Sequence, residues 1–163
     1  MSSHSLRGGY YLIMFSYTKS PSYCASALYY LSSVYRIIRN LPEGAYLRFK
    51  IIFVSVDPER DTPEVMKKFL KNFGKHVIGV TGSGPTDPEL LNTLKKFRIK
   101  TEKVDLPVGI RKKGYEIDHS DWIYLMDPDN NYLDHIDSRK TEHETARGLM
   151  TKMVECEHRR EKL

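Results

Sequence analysis

The sequence predicts an α/β sandwich, in which a central mixed β-sheet is flanked by helices. Three observations lead to this fold class. Short apolar runs typical of strands alternate with longer segments whose apolar residues recur at helical spacing. The first two helical segments open on a capping residue followed by proline. The last two strand-like runs enclose the turn sequence DPDNN, which indicates a hairpin.

The order of the predicted elements is β-α-β-α-β-α-β-β-α. The first strand covers residues 10–17, where aromatic and branched residues predominate. Ser20 then caps a helix that has Pro21 in its first turn and ends near Asn40. The sequence FKIIFVSV, residues 49–56, is the second apolar strand.

The second helix takes Asp61 or Thr62 as its cap and has Pro63 in its first turn. The remaining predictions are a short strand at 77–80, a helix at 85–97, an irregular charged connection at 98–116, hairpin strands at 122–126 and 132–136, and a terminal helix at 142–157. A hairpin followed by a closing helix is typical of the thioredoxin-like fold.

Composition favours one globular domain over residues 1–163, because 40% of the residues are hydrophobic and 29% are charged. The net charge of +5 comes from short clusters on the predicted helices. Such clusters favour solvated helix faces over an acidic partner or an anionic membrane surface. We expect no nucleic-acid partner, because no binding motif accompanies the charge. Two cysteines cannot form a disulfide framework, and no apolar run approaches the roughly 18 residues that span a bilayer.

Cys24 is the first candidate for a chemical role. It lies in the first turn of its predicted helix, where the helix dipole and free N–H groups stabilise a thiolate. A metal ligand or nucleophile and a small buried hydrophobe facing the sheet are equally compatible with this position. Ser20 stands four residues earlier, so both side chains can point to the same place. Its hydroxyl is hard and stays protonated at neutral pH, and helix capping explains it fully.

His119, in the segment EIDHSDW, lies just before a predicted strand. It can turn toward the helix start that carries Cys24, but a hydrogen-bonded loop residue is the commoner role of an isolated histidine. Two other motifs fail. The segment that begins at His143 has Arg147 where a zinc H-E-x-x-H needs histidine. DPDNNYLDHIDS lacks the glycine and the glutamate of a calcium loop. Cys156 and His158 are expected at an exposed helix end.

Four segments of the chain resemble the Sco/SenC family. LRGGYYLIMFSYTKSPSYC resembles the strand that leads into the family's T-H-C-P-x-x-C loop, and FVSVDPERDTPEVMKKFLKNFG closely resembles its S-V-D-P-E-R-D-T stretch. VIGVTG resembles its G-L-T-G strand, and DHSDWIYLMDPD resembles its D-H-S/T segment with the strand and turn that follow. Together the matches run from about residue 6 to residue 155.

The resemblance implies a thioredoxin-like fold and an assembly factor for cytochrome c oxidase. Such a factor delivers copper to the binuclear copper site or maintains its thiols. We expect a metallochaperone rather than an enzyme, with thiol redox activity as an additional role. The implied partners are the oxidase subunit that carries this site and a copper donor chaperone.

The resemblance also implies a location on the mitochondrial inner membrane, facing the intermembrane space, or on the periplasmic face in a bacterium. Members of the family are usually anchored and begin with a hairpin before the L-R-G segment. We expect neither feature in this chain, which starts almost at the L-R-G segment. We therefore expect it to associate with a membrane only through an anchor outside this chain.

The resemblance assigns Cys24 and His119 as metal ligands. Ser20 stands where the family has its first cysteine, and Ala25 stands where proline often follows the second. Because Cu(I) prefers thiolates, the loss of one sulfur should weaken copper binding. Cys156 is not expected to replace it, since the terminal helix should lie elsewhere. Two alternatives stay open: a non-metallated assembly or interaction protein, and a single-thiol redox protein that uses Cys24.

Overall fold

The computed structural model describes residues 6–21, 23–106, 114–137 and 139–162. The strands are β1 (Tyr10–Ser16), β2 (Phe49–Ser55), β3 (Val77–Val80), β4 (Thr101–Asp105), β5 (Tyr115–His119), β6 (Ile123–Met126) and β7 (Tyr132–His135). The helices are α1 (Tyr23–Asn40), α2 (Pro63–Leu70), α3 (Pro88–Lys96) and α4 (Glu142–Arg160).

Five strands form one mixed sheet in the order β3-β2-β1-β6-β7. β1 lies at its centre, parallel to β2 and antiparallel to β6, and β3 extends the parallel side. All seven residues of β1 are buried, as expected of a strand covered on both faces. The carboxyl ends of β1 and β2 therefore meet at one edge of the sheet, and the loops that follow them lie side by side.

Helices cover both faces of the sheet. Leu12 and Met14 of β1 point to the core that also contains apolar residues of α1, α2 and α4. Ile13 and Phe15 point the other way, to a second core that contains Leu90 and other residues of α3. This alternation follows from the two-residue repeat of a strand. The predicted α/β sandwich with a central mixed sheet is confirmed, and its strand order is the thioredoxin-like arrangement.

The prediction of an irregular connection over residues 98–116 is wrong. β4 and β5 form a separate two-stranded antiparallel sheet, in which Thr101 pairs with His119 and Asp105 pairs with Tyr115. Every residue of β4 is exposed, so its sequence TEKVD has no apolar face that could have revealed a strand. Residues 107–113, between the two strands, lie outside the described residues. His119 thus ends one strand rather than merely preceding another.

Helix α2 begins at its predicted cap, whereas α1 and α3 begin a few residues later than predicted. Thr62 caps α2 through a bond from the Val65 N–H to its hydroxyl, with Pro63 first in the helix. α3 begins at Pro88 rather than Pro85, because Asp87 accepts the free N–H groups of its first turn. α1 begins at Tyr23.

The two basic clusters lie on opposite faces of the molecule. Lys67 and Lys68 are exposed on α2, whereas Lys95 and Lys96 are exposed on α3, which covers the other side of the sheet. The clusters therefore do not combine into one basic surface, which favours their interpretation as solvated helix faces. Among the described residues, none of the helices combines the length and apolarity that crossing a bilayer would require.

Candidate metal site

Three polar side chains meet at the carboxyl end of β1. Ser16 is the last residue of that strand, Cys24 is the second residue of α1, and His119 is the last residue of β5. The Ser16 hydroxyl lies 3.4 Å from His119 Nε2 and is also hydrogen-bonded to the Cys24 thiol. We call these three residues the candidate metal site. The structure therefore brings Cys24 and His119 together, although 95 positions separate them in the sequence.

The ring of His119 is held in one orientation. Its Nδ1 lies 3.0 Å from the Ser120 carbonyl oxygen. Because a carbonyl oxygen can only accept, Nδ1 carries the proton and Nε2 of the neutral ring presents a lone pair toward Ser16. The edges of Tyr17 and Tyr23 pack against the ring, with centroids 5.9 and 6.3 Å away. A fixed imidazole with a free Nε2 is the form in which histidine binds a metal.

Tyr23 closes one side of the candidate metal site. It is the first residue of α1, and its hydroxyl donates to the Asp121 carbonyl oxygen at 2.9 Å. This bond joins the start of the helix to the segment that follows His119. Ser16 and Cys24 are buried, with Cys24 only 1% exposed, whereas His119 is partly exposed. The thiol is thus shielded from solvent, while the imidazole keeps partial access to it.

Burial dominates the acidity of Cys24. It raises the pKa of the thiol to about 12, and this effect outweighs the Ser16 hydrogen bond, which lowers the pKa. The charge of Asp61 raises the pKa further. The expectation that the helix start stabilises a thiolate is therefore not met in the metal-free protein. Cys24 packs among core residues, as the buried-hydrophobe interpretation requires, while its sulfur still faces Ser16.

Ser20 does not cap a helix, so that prediction is wrong. α1 begins three residues later, at Tyr23, and Ser20 lies in the turn before it. There its N–H donates to the Tyr17 carbonyl oxygen at 3.1 Å. The helical i, i+4 geometry predicted for Ser20 and Cys24 does not apply, because Ser20 stands outside the helix.

Asp61 fixes the turn between β1 and α1. It is fully buried, and its carboxylate accepts hydrogen bonds from the Thr18 N–H (2.9 Å) and the Thr18 hydroxyl (2.5 Å). The Ser55 hydroxyl donates to the same carboxylate at 2.7 Å. Thr18 precedes Ser20 by two residues, so Asp61 sets the path of the segment that leads to Cys24. A buried carboxylate with three donors is a satisfied group and not a free ligand.

Asp57 fixes the strand that carries His119. It pairs with Arg60 and accepts a hydrogen bond from the Tyr115 hydroxyl at 2.9 Å. The Arg60 guanidinium lies 3.7 Å above the Tyr115 ring and donates to the Tyr115 carbonyl oxygen at 2.8 Å. The Nζ atom of Lys103, in β4, also lies over the Tyr115 ring, 3.8 Å from its centroid. The β4–β5 sheet is thereby held against the loop after β2.

Cys156 is buried, which corrects the expectation of an exposed helix end; His158 is exposed as expected. Cys156 hydrogen-bonds the Tyr10 hydroxyl, which donates to Glu157 at 2.6 Å. Tyr10 and Ser16 are at opposite ends of β1, six residues apart, which is roughly 20 Å in a strand. Cys156 therefore cannot take the place of the sulfur missing at position 20, and both cysteines are free.

The donor set of the candidate metal site is one sulfur and one imidazole nitrogen. Both types suit copper, and thiolate suits Cu(I) best. Across residues 6–21, 23–106, 114–137 and 139–162, no three His, Cys, Asp or Glu side chains group closely enough to hold an ion. The residues present thus fit two positions of a copper site and leave the rest of its coordination open.

Three residues that shape the candidate metal site could not be identified from the sequence alone. Nothing in FSYT shows that the Ser16 hydroxyl faces His119. The sequence predicts Asp61 only as a capping candidate. Asp57 and Asp61 nevertheless lie within the stretch that most resembles the Sco/SenC family, which was the available signal.

The chain is similar in sequence to known proteins. The family model described as SCO1/SenC matches residues 1–154. The protein Sco1 of Schizosaccharomyces pombe is 30% identical over 151 residues, which cover 91% of this chain and 54% of that protein. A SCO2-like protein of Rickettsia prowazekii is 32% identical over 135 residues, which cover 82% of this chain and 60% of that protein. The chain thus spans a little over half the length of these relatives.

Solved structures agree with the sequence matches. The structure of Bradyrhizobium japonicum ScoI with copper bound superposes with a TM-score of 0.77 at 33% identity, and the match covers 92% of this chain and 88% of that one. Yeast Sco1 with copper bound gives a TM-score of 0.75 at 28% identity, with 93% and 79% covered. The fold around the candidate metal site is therefore one that holds copper in other proteins.

Proposed function

The chain belongs to the SCO1/SenC family, and from this we propose that it is a copper-handling assembly factor for cytochrome c oxidase. The observation that supports the proposal most directly is the meeting of Cys24 and His119 at one hydroxyl group, that of Ser16. Copper is the cargo in this function rather than a permanent part of the protein.

Cys24 and His119 are the two ligands that this chain contributes. The thiol must lose its proton to bind copper, and burial holds that proton strongly, so loading releases it. His119 needs no such change, because its Nε2 already presents a lone pair. A position left open by Ser20 suits transfer, since a thiolate of the partner can enter there before the chain releases the ion.

The proposed partners are the oxidase subunit that carries the binuclear copper site and a chaperone that donates copper. The names of relatives point to mitochondria in yeast and Arabidopsis, and others come from Rickettsia. We propose the intermembrane-space side of the mitochondrial inner membrane, or the periplasmic face in a bacterium.

A non-metallated assembly or interaction protein is the second candidate. It is favoured by Ser20 in the position of the family's first cysteine, and by the lack of a three-ligand cluster among the described residues. The single-thiol redox role is disfavoured. A nucleophilic cysteine needs exposure and a low pKa, whereas Cys24 is buried and burial raises its pKa to about 12.

The deciding experiment is a titration of reduced protein with Cu(I) against a competing chelator. Wild type is compared with Cys24→Ala, His119→Ala and Ser20→Cys, and Cys156→Ala serves as the matched cysteine control. We expect wild type and Cys156→Ala to bind, and the two ligand variants to lose most of the affinity. Ser20→Cys should bind more tightly than wild type, because it adds a second sulfur.

Two other results would overturn the proposal. If wild type binds no Cu(I) while Ser20→Cys does, the scaffold is intact and the non-metallated candidate replaces the first. If Cys24→Ala binds as well as wild type, Cys24 is not a ligand and the proposed site is wrong. Circular dichroism of each variant must show the wild-type fold for these comparisons to hold.

A further inference from the structure

We propose that Ser16 is the positioning residue of the candidate metal site, where its hydroxyl group holds the Cys24 sulfur and the His119 ring toward each other. The inference rests on the proposed function and names the group that organises the site. It starts from the burial of Ser16, which has no solvent exposure within a strand whose other residues are aromatic or aliphatic. A hydroxyl in such a place is stable only if it is hydrogen-bonded.

The partners of that hydroxyl are the two expected ligands. Its oxygen lies 3.4 Å from His119 Nε2 and is hydrogen-bonded to the Cys24 thiol. Nε2 accepts, because Nδ1 holds the ring proton against the Ser120 carbonyl. Ser16 therefore donates to Nε2, and the same hydroxyl group is in hydrogen-bonding contact with the Cys24 sulfur. One hydroxyl thus aligns the sulfur and the nitrogen toward each other.

Loading changes what the hydroxyl can do. When an ion takes the Nε2 lone pair and the thiol loses its proton, the Ser16 hydroxyl is free to donate to the thiolate. A hydrogen bond to an ionised acceptor is stronger than the long contact to a neutral nitrogen. The hydroxyl therefore stabilises the loaded form more than the empty form, and it does so without binding the ion.

Two other buried serines make contacts away from Cys24 and His119. Ser55 pairs with Ser16 across β1 and β2 and is equally buried, yet its hydroxyl donates to Asp61. The Ser32 hydroxyl donates to the Phe73 carbonyl at 3.3 Å and lies 3.2 Å from His76 Nε2. Ser32→Ala is therefore a matched control that removes a buried, hydrogen-bonded hydroxyl away from the candidate metal site.

The first test uses metal-free protein. Long-range ¹H–¹⁵N correlation spectra report which nitrogen of a histidine is protonated and whether the other accepts a hydrogen bond. The chain has six histidines, and His119→Gln identifies the His119 signals. We expect Ser16→Ala to shift the Nε2 resonance downfield, and Ser32→Ala to leave it in place. An unchanged Nε2 resonance in Ser16→Ala would overturn the proposal.

The second test measures Cu(I) affinity by chelator competition. We expect Ser16→Ala to weaken binding about tenfold, which is the typical effect of one hydrogen bond to a charged group. Ser16→Thr, which keeps the hydroxyl, should restore affinity to near the wild-type value, and Ser32→Ala should not change it. Equal or tighter binding by Ser16→Ala, or no rescue by threonine, would overturn the proposal.

The two tests separate this inference from the proposed function. If wild type binds no Cu(I), the proposed function fails, and the metal-free spectra alone decide whether Ser16 bridges the two residues. If wild type binds and Ser16→Ala behaves identically, the proposed function stands and the role of Ser16 is rejected.

Discussion

Asp57 and Asp61, four residues apart in the loop after β2, hold opposite sides of the candidate metal site. Asp61 binds Thr18 in the turn that leads to Cys24, whereas Asp57 binds Tyr115 in the strand that ends at His119. One short loop thereby sets the distance between Cys24 and His119, which come from remote parts of the chain. The loop contributes geometry to the site rather than a ligand.

Loss of the Asp61 carboxylate should destabilise the protein. Asp61→Ala removes the acceptor of three hydrogen bonds and leaves the Thr18 and Ser55 donors unpaired. We expect the free energy of unfolding to fall by about 3 kcal/mol. Urea denaturation measures it, with Asp105→Ala as the control because Asp105 is exposed on β4. A loss below about 1 kcal/mol would show that water satisfies these donors.

Loss of the contact between Tyr115 and Asp57 should change the position of His119 and lower the stability of the protein. Tyr115→Phe removes the hydroxyl that donates to Asp57 and keeps the ring between Arg60 and Lys103. We expect a loss of about 1 kcal/mol and a change in the NMR signals of His119, four residues along β5. Tyr132→Phe, on the exposed strand β7, is the control. If the His119 signals stay unchanged, Asp57 does not position this strand.

The buried thiol should make stability depend on alkaline pH. The pKa of Cys24 in the folded protein is about 12, above its ordinary value of 9.0. The folded state therefore holds the proton more tightly, so this contribution to stability is fully present below pH 9 and is lost as pH rises toward 12. Burial also raises the pKa of Tyr11 and Tyr23 to about 12 from 10.0, so these tyrosines contribute mainly above pH 10.

The measurement compares Cys156→Ala with the double variant Cys24→Ala, Cys156→Ala by urea denaturation at pH 8 and pH 10. We expect the difference in unfolding free energy between the two proteins to shrink by about 1 kcal/mol over this range. A constant difference would mean that Cys24 ionises at the same pH in folded and unfolded chains.

A substitution at the start of α4 should lower stability without changing metal affinity. Thr141 and Glu144 form a reciprocal capping box at this end of the helix. Thr141→Ala should lower the unfolding free energy by about 1 kcal/mol, whereas Thr151→Ala, on the exposed side of the same helix, should change it little. Cu(I) affinity should match the wild type in both. A drop in affinity in Thr141→Ala would show that stability and binding are coupled.

Apolar patterns predicted most of the fold, because buried strands and helices show runs or stripes of apolar residues in the sequence. β1, β2 and α1 have runs or stripes that reveal them, and the closing hairpin has a clear turn. β4 has no such pattern, since all its residues are exposed and it is held by its pairing with β5 and by Lys103. Cys156 was placed at an exposed end because its burial depends on Tyr10, 146 residues earlier.

The site was less predictable than the fold for the same reason. Cys24 and His119 came from resemblance, since neither position alone distinguishes a ligand from a packed residue. Ser16 and Asp61 act through partners 103 and 43 residues away in the sequence. A single sequence contains no record of such contacts. The parallel pairing of β1 and β2 brings Asp61 to Thr18, and the packing of the β4–β5 sheet against the loop after β2 brings His119 to Ser16.

The bond between the Tyr23 hydroxyl and the Asp121 carbonyl has a kinetic consequence. It joins the start of α1 to the segment after His119, next to a thiol that is 1% exposed. If a partner's thiolate reaches the Cys24 side of the site only when this bond opens, the transfer rate has a ceiling equal to the opening rate. Raising the partner concentration should speed transfer only until it reaches that ceiling, whereas Tyr23→Phe should raise the ceiling itself.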